Sequence, residues 1–323
     1  MELSFAPLEG LTYAAYRRTH ARLFPGVAYY CAPFLAPDQQ GRVKDSALRD
    51  LLPENNPGLS LVPQILCNRP EAFLELSRRL ADLGYSEVNL NAGCPSGTVV
   101  PKHKGAGMLS DLDSLDAFLE RVFAEAPVRV SVKTRLGVTD TAEFSAILEI
   151  YRRYPLSSLI IHARPASGMY KSTPDLSAFS PALEASPFPV CYNGNVLHPA
   201  SVQMLRQRFP SLNALMLGRG ALANPALFRQ ILGGEKLRLE ELETFLDSVL
   251  QAYLQSGLTE YHCLCRMKEL WYYVNHMFPD CPAQLKRLNK SRCLADYRDA
   301  VRAFCDSGRF DPNAAFPGEL PRE

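Results

Sequence analysis

Val88-Asn89-Leu90-Asn91-Ala92-Gly93-Cys94-Pro95-Ser96 begins as a short apolar strand and breaks at Gly93 and Pro95, leaving one thiol just past the strand end. A strand, a turn and a lone reactive side chain are the layout of a site carried on a loop by a rigid scaffold. Cys is also among the most buried residue types, so a structural thiol at a strand end is the alternative. What surrounds the stretch separates the two.

Outward in both directions the same unit repeats. Strand-like runs occur near Leu3–Pro7, Val27–Cys31, Leu59–Leu66, Glu87–Asn91, Val128–Lys133, Ser158–His162, Pro189–Asn193 and Ala214–Gly218. They are nearly continuous apolar stretches, as parallel strands covered on both faces require. Amphipathic helical patterns lie between them. Glu71–Leu83 puts Phe73, Leu74, Leu76, Leu80 and Leu83 on one face, and Asp111 caps a pattern that turns Leu115, Phe118, Leu119 and Val122 inward. Thr141–Tyr154 and Pro199–Phe209 follow the same rule. Eight strand–helix units before residue 235 predict a closed (β/α)8 TIM barrel. A doubly wound open sheet would carry G-x-G-x-x-G after an early strand, and the chain has none.

The alternation stops at Gly233-Gly234; beyond it Leu239–Leu254, Tyr261–Met277 and Cys293–Cys305 read as helices. The expected division is a barrel over 1–235, an appended helical domain over 236–308 and a loosely ordered tail over 309–323, rich in Pro and charge. Nine scattered cysteines without C-x-x-C argue against a disulfide framework and against a zinc site, so no metal is expected. The N-terminus lacks the pattern of a signal peptide, no apolar run is long enough to span a membrane, and the net charge is +1. The expectation is a reduced cytoplasmic protein, with any nucleic-acid role confined to a local patch.

A barrel of this kind carries its site at the C-terminal strand ends. There the chain places Pro7, Gln64, Asn91 with Cys94, Lys133 with Arg135, His162 with Arg164, Asn193-Gly194-Asn195 and Gly218-Arg219-Gly220. The last two loops sit where this fold binds phosphate; glycines let backbone N–H groups approach an anion, and Arg219 adds a charged fork. Tight turns alone are the plainer use of those glycines. Lys133 and Arg135 need an anionic partner, either a phosphate or reduced flavin ring, or a structural carboxylate such as Glu87. Gln64 suits the amide-like edge of such a ring, or caps a strand end.

Ala6-Pro7-Leu8-Glu9-Gly10, Asn89-Leu90-Asn91-Ala92-Gly93-Cys94-Pro95-Ser96, Gly105-Ala106-Gly107-Met108-Leu109, Ser131-Val132-Lys133-Thr134-Arg135-Leu136-Gly137, His162-Ala163-Arg164, Asn193-Gly194-Asn195 and Gly218-Arg219-Gly220-Ala221 come in one order along the barrel. In that order they resemble the tRNA-dihydrouridine synthase family. Tyr261-His262, Arg266-Met267-Lys268 and Tyr272-Tyr273 are similar to its helical domain. The resemblance implies a flavin oxidoreductase with FMN at the barrel mouth, NADPH as reductant and a D-loop uridine of tRNA as substrate. It implies that Pro7, Leu8, Gln64, Lys133, His162, Asn193, Gly194, Asn195, Gly218 and Arg219 hold FMN. Asn91 would orient flavin and uracil, Arg135 would contact substrate, and Cys94 would be the proton donor. The sequence departs from the family at Asn89, often Asp there, and at Asn195, often Asp or Glu, which leaves both roles open. A flavin enzyme acting on a free pyrimidine, of the dihydroorotate dehydrogenase kind, is the alternative.

The helical region supplies the local patch. Between His262 and Arg302 stand eight cations against four carboxylates, interleaved with Trp271, Tyr272 and Tyr273. Lys286, Arg287 and Lys290 are the expected tRNA contacts, with an ordinary solvated helix face as the alternative. A monomer on tRNA is the expected state. The loop Ser96–Gly107, with its glycines, is expected to close over the base.

Overall fold

The computed structural model describes residues 1–318. Nine short strands form one sheet: β1 (Glu2–Phe5), β2 (Tyr29–Cys31), β3 (Leu61–Val62), β4 (Gln64–Ile65), β5 (Glu87–Ala92), β6 (Arg129–Arg135), β7 (Leu159–His162), β8 (Val190–Asn193) and β9 (Ala214–Leu217). Their order is β3-β2-β1-β9-β8-β7-β6-β5-β4, and all pairings are parallel. The edge strands β3 and β4 are separated by Pro63 alone. Proline has no N–H to give the ladder, so the strand expected over Leu59–Leu66 is broken there. Its carbonyl still accepts from the Asn89 N–H at 2.8 Å. The sheet therefore closes through continuous chain, and the (β/α)8 barrel read from the sequence is the observed architecture.

Strand alternation sorts the side chains. Leu3, Phe5, Val88, Leu90, Val130, Val132, Leu159, Ile161, Leu215 and Leu217 face outward into the main core under the helices. Cys31, Ile160, Cys191 and Met216 form a separate apolar plug inside the barrel. On β5 and β6 the inward positions are instead Asn89, Asn91, Ser131 and Lys133, so one side of the barrel interior is polar.

The barrel helices are α1 (Ala14–Leu23), α2 (Asp45–Leu51), α3 (Pro70–Asp82), α4 (Leu112–Glu125), α5 (Phe144–Tyr151), α6 (Leu176–Ala185), α7 (Pro199–Arg208), α8 (Arg219–Ala223) and α9 (Leu227–Ile231). The Asp111 carboxylate caps α4 by accepting from the Ser114 N–H, and Leu115, Phe118, Leu119 and Val122 are buried as expected. The buried face of α1 is unusual. Arg17 is fully buried and donates to the Asp50 carboxylate at 2.9 Å and to Asn56 Oδ1 at 2.8 Å, fastening α2 and its flanks to α1. His20 donates from Nε2 to the Pro225 carbonyl and accepts at Nδ1 from the Tyr30 hydroxyl; burial brings it down to about 4, so it stays neutral.

Beyond the join come α10 (Leu239–Gln255), α11 (Glu260–Val274), α12 (Pro282–Lys290) and α13 (Leu294–Cys305). This region shares the barrel's core: Phe245 meets the rings of Tyr16 and Phe24, and the Tyr253 hydroxyl donates to the Leu11 carbonyl. Trp271 is fully buried, stacked on Phe304 with its indole N–H on the Tyr297 hydroxyl at 3.0 Å. That removes it from any RNA-stacking surface.

The expectation of a loose tail from 309 is corrected for residues 309–318. Phe310 packs on Phe278, the Asp311 N–H donates to the Met277 carbonyl at 2.8 Å, and Phe316 is buried against Tyr273 and His276. Residues 319–323 of the expected tail lie outside the described residues. Among the described residues no helix is long and apolar enough to cross a membrane, and no group of three or more His, Cys, Asp or Glu is placed to hold a metal.

Candidate active site

The strand-end residues converge on the barrel mouth. A hollow of ≈ 390 Å³ is lined by Pro7, Leu8, Gln64, Asn91, Cys94, Lys133, Arg135, His162 and Arg219. A smaller hollow adjoins it through Pro7, Leu8, Lys133, His162 and Arg219, and reaches Asn193, Gly194, Asn195 and Gly218. A larger groove of ≈ 900 Å³ runs between α1, α2 and the ends of α10 and α11, but it contains none of the strand-end candidates. The chemistry gathers in the first two.

A chain of amides crosses the polar side of the barrel. Asn89 Nδ2 donates to Ser131 Oγ at 3.0 Å, Gln64 Nε2 to Asn89 Oδ1 at 2.8 Å, and Asn91 Nδ2 to Gln64 Oε1 at 2.8 Å. Asn91 Oδ1 then accepts the N–H groups of Gly93 at 3.1 Å and Cys94 at 2.9 Å. Asn89 uses both ends of its carboxamide, a donor and an acceptor, which a carboxylate cannot supply. The chain fixes Gln64 and Asn91 and, through Asn91, the turn that carries the thiol.

Lys133 stands beside Asn91 across the β5–β6 pair. Glu87, the carboxylate partner weighed for it, pairs with Arg129 at 3.2 Å. Among the described residues Lys133 has no ion-pair or hydrogen-bond partner. Burial, followed by the charge of Arg135, brings its ammonium down to about 8. His162 is pushed well below its ordinary value by burial and by Arg135 and Lys133. Arg164 Nη1 donates to His162 Nε2 at 2.7 Å, which assigns the ring proton to Nδ1. The mouth is thus a cationic pocket around a neutral imidazole, suited to an anion.

Arg135 corrects the expectation that it needs an anionic partner. It is buried, with Nε on the Gly93 carbonyl at 2.9 Å and Nη1 on the carbonyls of Pro165 and Met169 at 2.9 and 2.8 Å. It ties the loops after β5 and β7 together. Its guanidinium also lies over Tyr170, an exposed ring of the mouth that no sequence pattern singled out.

Cys94 is half-buried and is the one described cysteine lining the wider hollow. Cys31 and Cys191 sit in the interior plug, where burial drives both thiols up, Cys31 to about 12. The Cys94 carbonyl accepts the Ala106 N–H at 3.0 Å. Gly105, at φ +56, packs so closely that a Cβ there would lie 2.8 Å from the Cys94 carbonyl oxygen and 3.0 Å from its Cβ. Residues 105–109 are buried in a 3-10 turn, so the far end of the expected closing loop is built into the barrel.

Gly194, at φ +153, keeps the β8 loop close: a Cβ there would lie 2.9 Å from the Tyr192 hydroxyl oxygen. Asn195, at φ +43, accepts Arg219 Nη2 on its Oδ1 at 2.7 Å. The rim is aromatic, with Tyr272, Tyr273 and Phe316 lining the wider hollow. The sequence reading missed Phe316, because one phenylalanine in a Pro-rich tail carries no periodicity.

Lys286, Arg287 and Lys290 do not join the mouth. They lie exposed on α12 around a separate shallow hollow, where Arg287 reaches Asp299 only at 3.9 Å. Two other cations of the region are occupied: Lys268 Nζ donates to the Ser291 carbonyl at 2.6 Å, and Arg266 lies over the ring of Tyr13.

Comparison with known proteins fits this geometry. The family model "Dihydrouridine synthase (Dus)" matches residues 4–309. A relative from Vibrio vulnificus, tRNA-dihydrouridine synthase B, is 25% identical over 285 residues, covering 85% of this chain and 87% of the relative. A Shigella flexneri relative, tRNA-dihydrouridine(16) synthase, is 27% identical over 246 residues, covering 74% and 77%. In fold, the chain is similar to the old yellow enzyme homologue of Zymomonas mobilis, with a TM-score of 0.54, 13% identity and coverage of 76% and 92%. With a match across the whole barrel and most of the helical region, the chain belongs to the dihydrouridine synthase family.

Proposed function

We propose that this chain reduces the C5–C6 double bond of a D-loop uridine in tRNA, using FMN and NADPH, with Cys94 as proton donor. The observation that carries the reading is the shared mouth: a thiol, an unpaired lysine and a neutral histidine border one hollow that opens onto the glycine loops after β8 and β9. Family membership and the names of the relatives support uridine in tRNA as substrate.

The residues present fit a flavin mononucleotide. Lys133 has no carboxylate partner and would meet an anionic ring edge without competition; Arg219 and the close-packed Gly194 loop would suit a phosphate. Pro7, Leu8, His162, Asn193, Asn195 and Gly218 complete the wall. Gln64 and Asn91, held by the amide chain, present a rigid polar surface beside it. Bound there, the flavin supplies the hydride for C6 of the uracil.

Saturating the double bond also requires a proton at C5. Cys94 Sγ, on the turn that borders the hollow, holds it as the thiol and delivers it as a general acid. The thiolate left behind regains its proton from solvent. Asn91 fixes the Cys94 turn through two backbone N–H groups, and Arg135 holds the same loop at Gly93. On α12, Lys286, Arg287 and Lys290 track the RNA backbone as exposed cations.

The test is reconstitution. Purified protein is given FMN, NADPH and tRNA lacking dihydrouridine, and the product is mapped by mass spectrometry. Parallel arms hold NADH, and free uracil or orotate. Dihydrouridine at a D-loop position, with free bases inert, is the expected result. Reduction of orotate with tRNA untouched would overturn the substrate, and equal turnover with NADH would overturn the choice of reductant.

A further inference from the structure

We propose that Phe316 is a positioning residue for Arg219, and that residues 309–318 form a strap completing the anion subsite from outside the barrel. The inference rests on the reading of the mouth as an FMN site. The strap is attached at several points. Phe310 packs on Phe278, the Asp311 N–H is bound to the Met277 carbonyl, and Phe316 is 6% exposed. The Phe316 ring lies against Tyr273 at 5.2 Å and His276 at 5.0 Å, and it shares a small apolar cluster with Leu197 and Ala223. Those last two residues belong to the loop after β8 and to α8, the segments that carry Asn195 and Arg219.

Arg219 is held by aromatic faces. Its guanidinium carbon is 5.4 Å from the centroid of Phe316 and 5.1 Å from that of Tyr170, with Nη2 on Asn195 Oδ1. Among the described residues no carboxylate pairs with it. A carboxylate would consume the in-plane N–H fork and cancel the charge. Rings attract a guanidinium through its flat face and leave that fork to a ligand. An arginine on a short helix start at a barrel mouth has many rotamers, and the two rings with Asn195 select among them. Phe316 stands at the rim of the wider hollow and does not line the smaller one that Arg219 shares with the glycine loops, so it acts on phosphate through Arg219.

That distinction sets the test. Flavin-free full-length protein is titrated with FMN and with riboflavin, which lacks the phosphate, and flavin fluorescence is followed. The parent should bind FMN more tightly than riboflavin; failure of this arm alone would overturn the FMN reading and the inference with it. Phe316→Leu should weaken FMN about 3- to 10-fold, the range of a partly desolvated cation–π contact, and leave riboflavin unchanged. Phe316→Tyr should restore the parent value. In an Arg219→Ala background, Phe316→Leu should make no further difference. Should Leu melt the protein, Phe316→Met repeats the test with closer volume. Equal losses for both flavins, or a full loss in the Arg219→Ala background, would reduce Phe316 to a packing residue and overturn the inference.

Discussion

Replacing Gly105 with Ala tests whether the fold sets the thiol's position. The added Cβ would lie 2.8 Å from the Cys94 carbonyl oxygen, 2.9 Å from Val99 Cγ1 and 3.0 Å from Cys94 Cβ. Ordinary contact is about 3.5 Å, so relief takes a displacement of about half an ångström or more. Val99 can swing away; the Cys94 backbone resists, because its carbonyl holds the Ala106 N–H and its own N–H is bound to Asn91. The left-handed φ adds roughly 1–2 kcal/mol for a residue with a side chain. Together these predict a stability loss of about 2–3 kcal/mol. The rate effect is selective. A misplacement approaching 1 Å costs on the order of 10²-fold, so reoxidation of the reduced protein by tRNA should slow by roughly 10- to 100-fold. On the proposed mechanism reduction by NADPH bypasses the thiol, so it should proceed at the parent rate. Stopped-flow flavin absorbance reads both halves. A Gly105→Ala protein that melts earlier yet reoxidises as fast as the parent would refute the reasoning.

Asp50→Ala should lose about 3–5 kcal/mol in urea unfolding, because it strands the fully buried Arg17 charge; a loss under 1 kcal/mol would mean Arg17 finds water. Lys133 sets a pH dependence. Its folded pKa of about 8 lies below the ordinary lysine value, so the unfolded chain holds the proton more tightly. Its contribution to stability is therefore least favourable below pH 8 and improves as pH rises from about 8 to 10.5. Melting temperature against pH should rise more steeply in that window for flavin-free parent than for Lys133→Met, and parallel curves would contradict the assignment. Neutralising Lys286, Arg287 and Lys290 together should weaken tRNA binding and reduce the slope of log K against log salt by about 2–3, with NADPH oxidation unaffected; an unchanged slope would put the RNA surface elsewhere.

The barrel was legible because its strands are apolar runs ending in Gly and polar residues, a pattern that survives without knowing any contact. The break at Pro63 was legible in principle, since proline cannot give an N–H to the ladder. The role of individual cations was not. Arg135, Lys133 and Arg219 look alike at strand ends, yet one is consumed by carbonyls, one is unpartnered and one is held by rings. Lys268 and Lys290 look alike on basic helices, but only the first is fastened to a backbone carbonyl. The helix α12 escaped because it is nine residues long and turns only Leu285 and Leu288 to the core, too few apolar positions to set a period. Asn89, a departure from the family pattern in the sequence, became intelligible only as the link that joins Gln64 to Ser131 in the amide chain.

The half-reactions of Cys94→Ala test the central claim most directly. The variant, reduced by NADPH and mixed with tRNA, should keep its flavin, its rate of reduction by NADPH and its tRNA affinity. It should lose reoxidation by tRNA by roughly 10²- to 10⁴-fold, the range for removal of a general acid, and Cys94→Ser should be nearly as slow. Reoxidation of Cys94→Ala at the parent rate would contradict the account and leave Cys94 a thiol at a strand end.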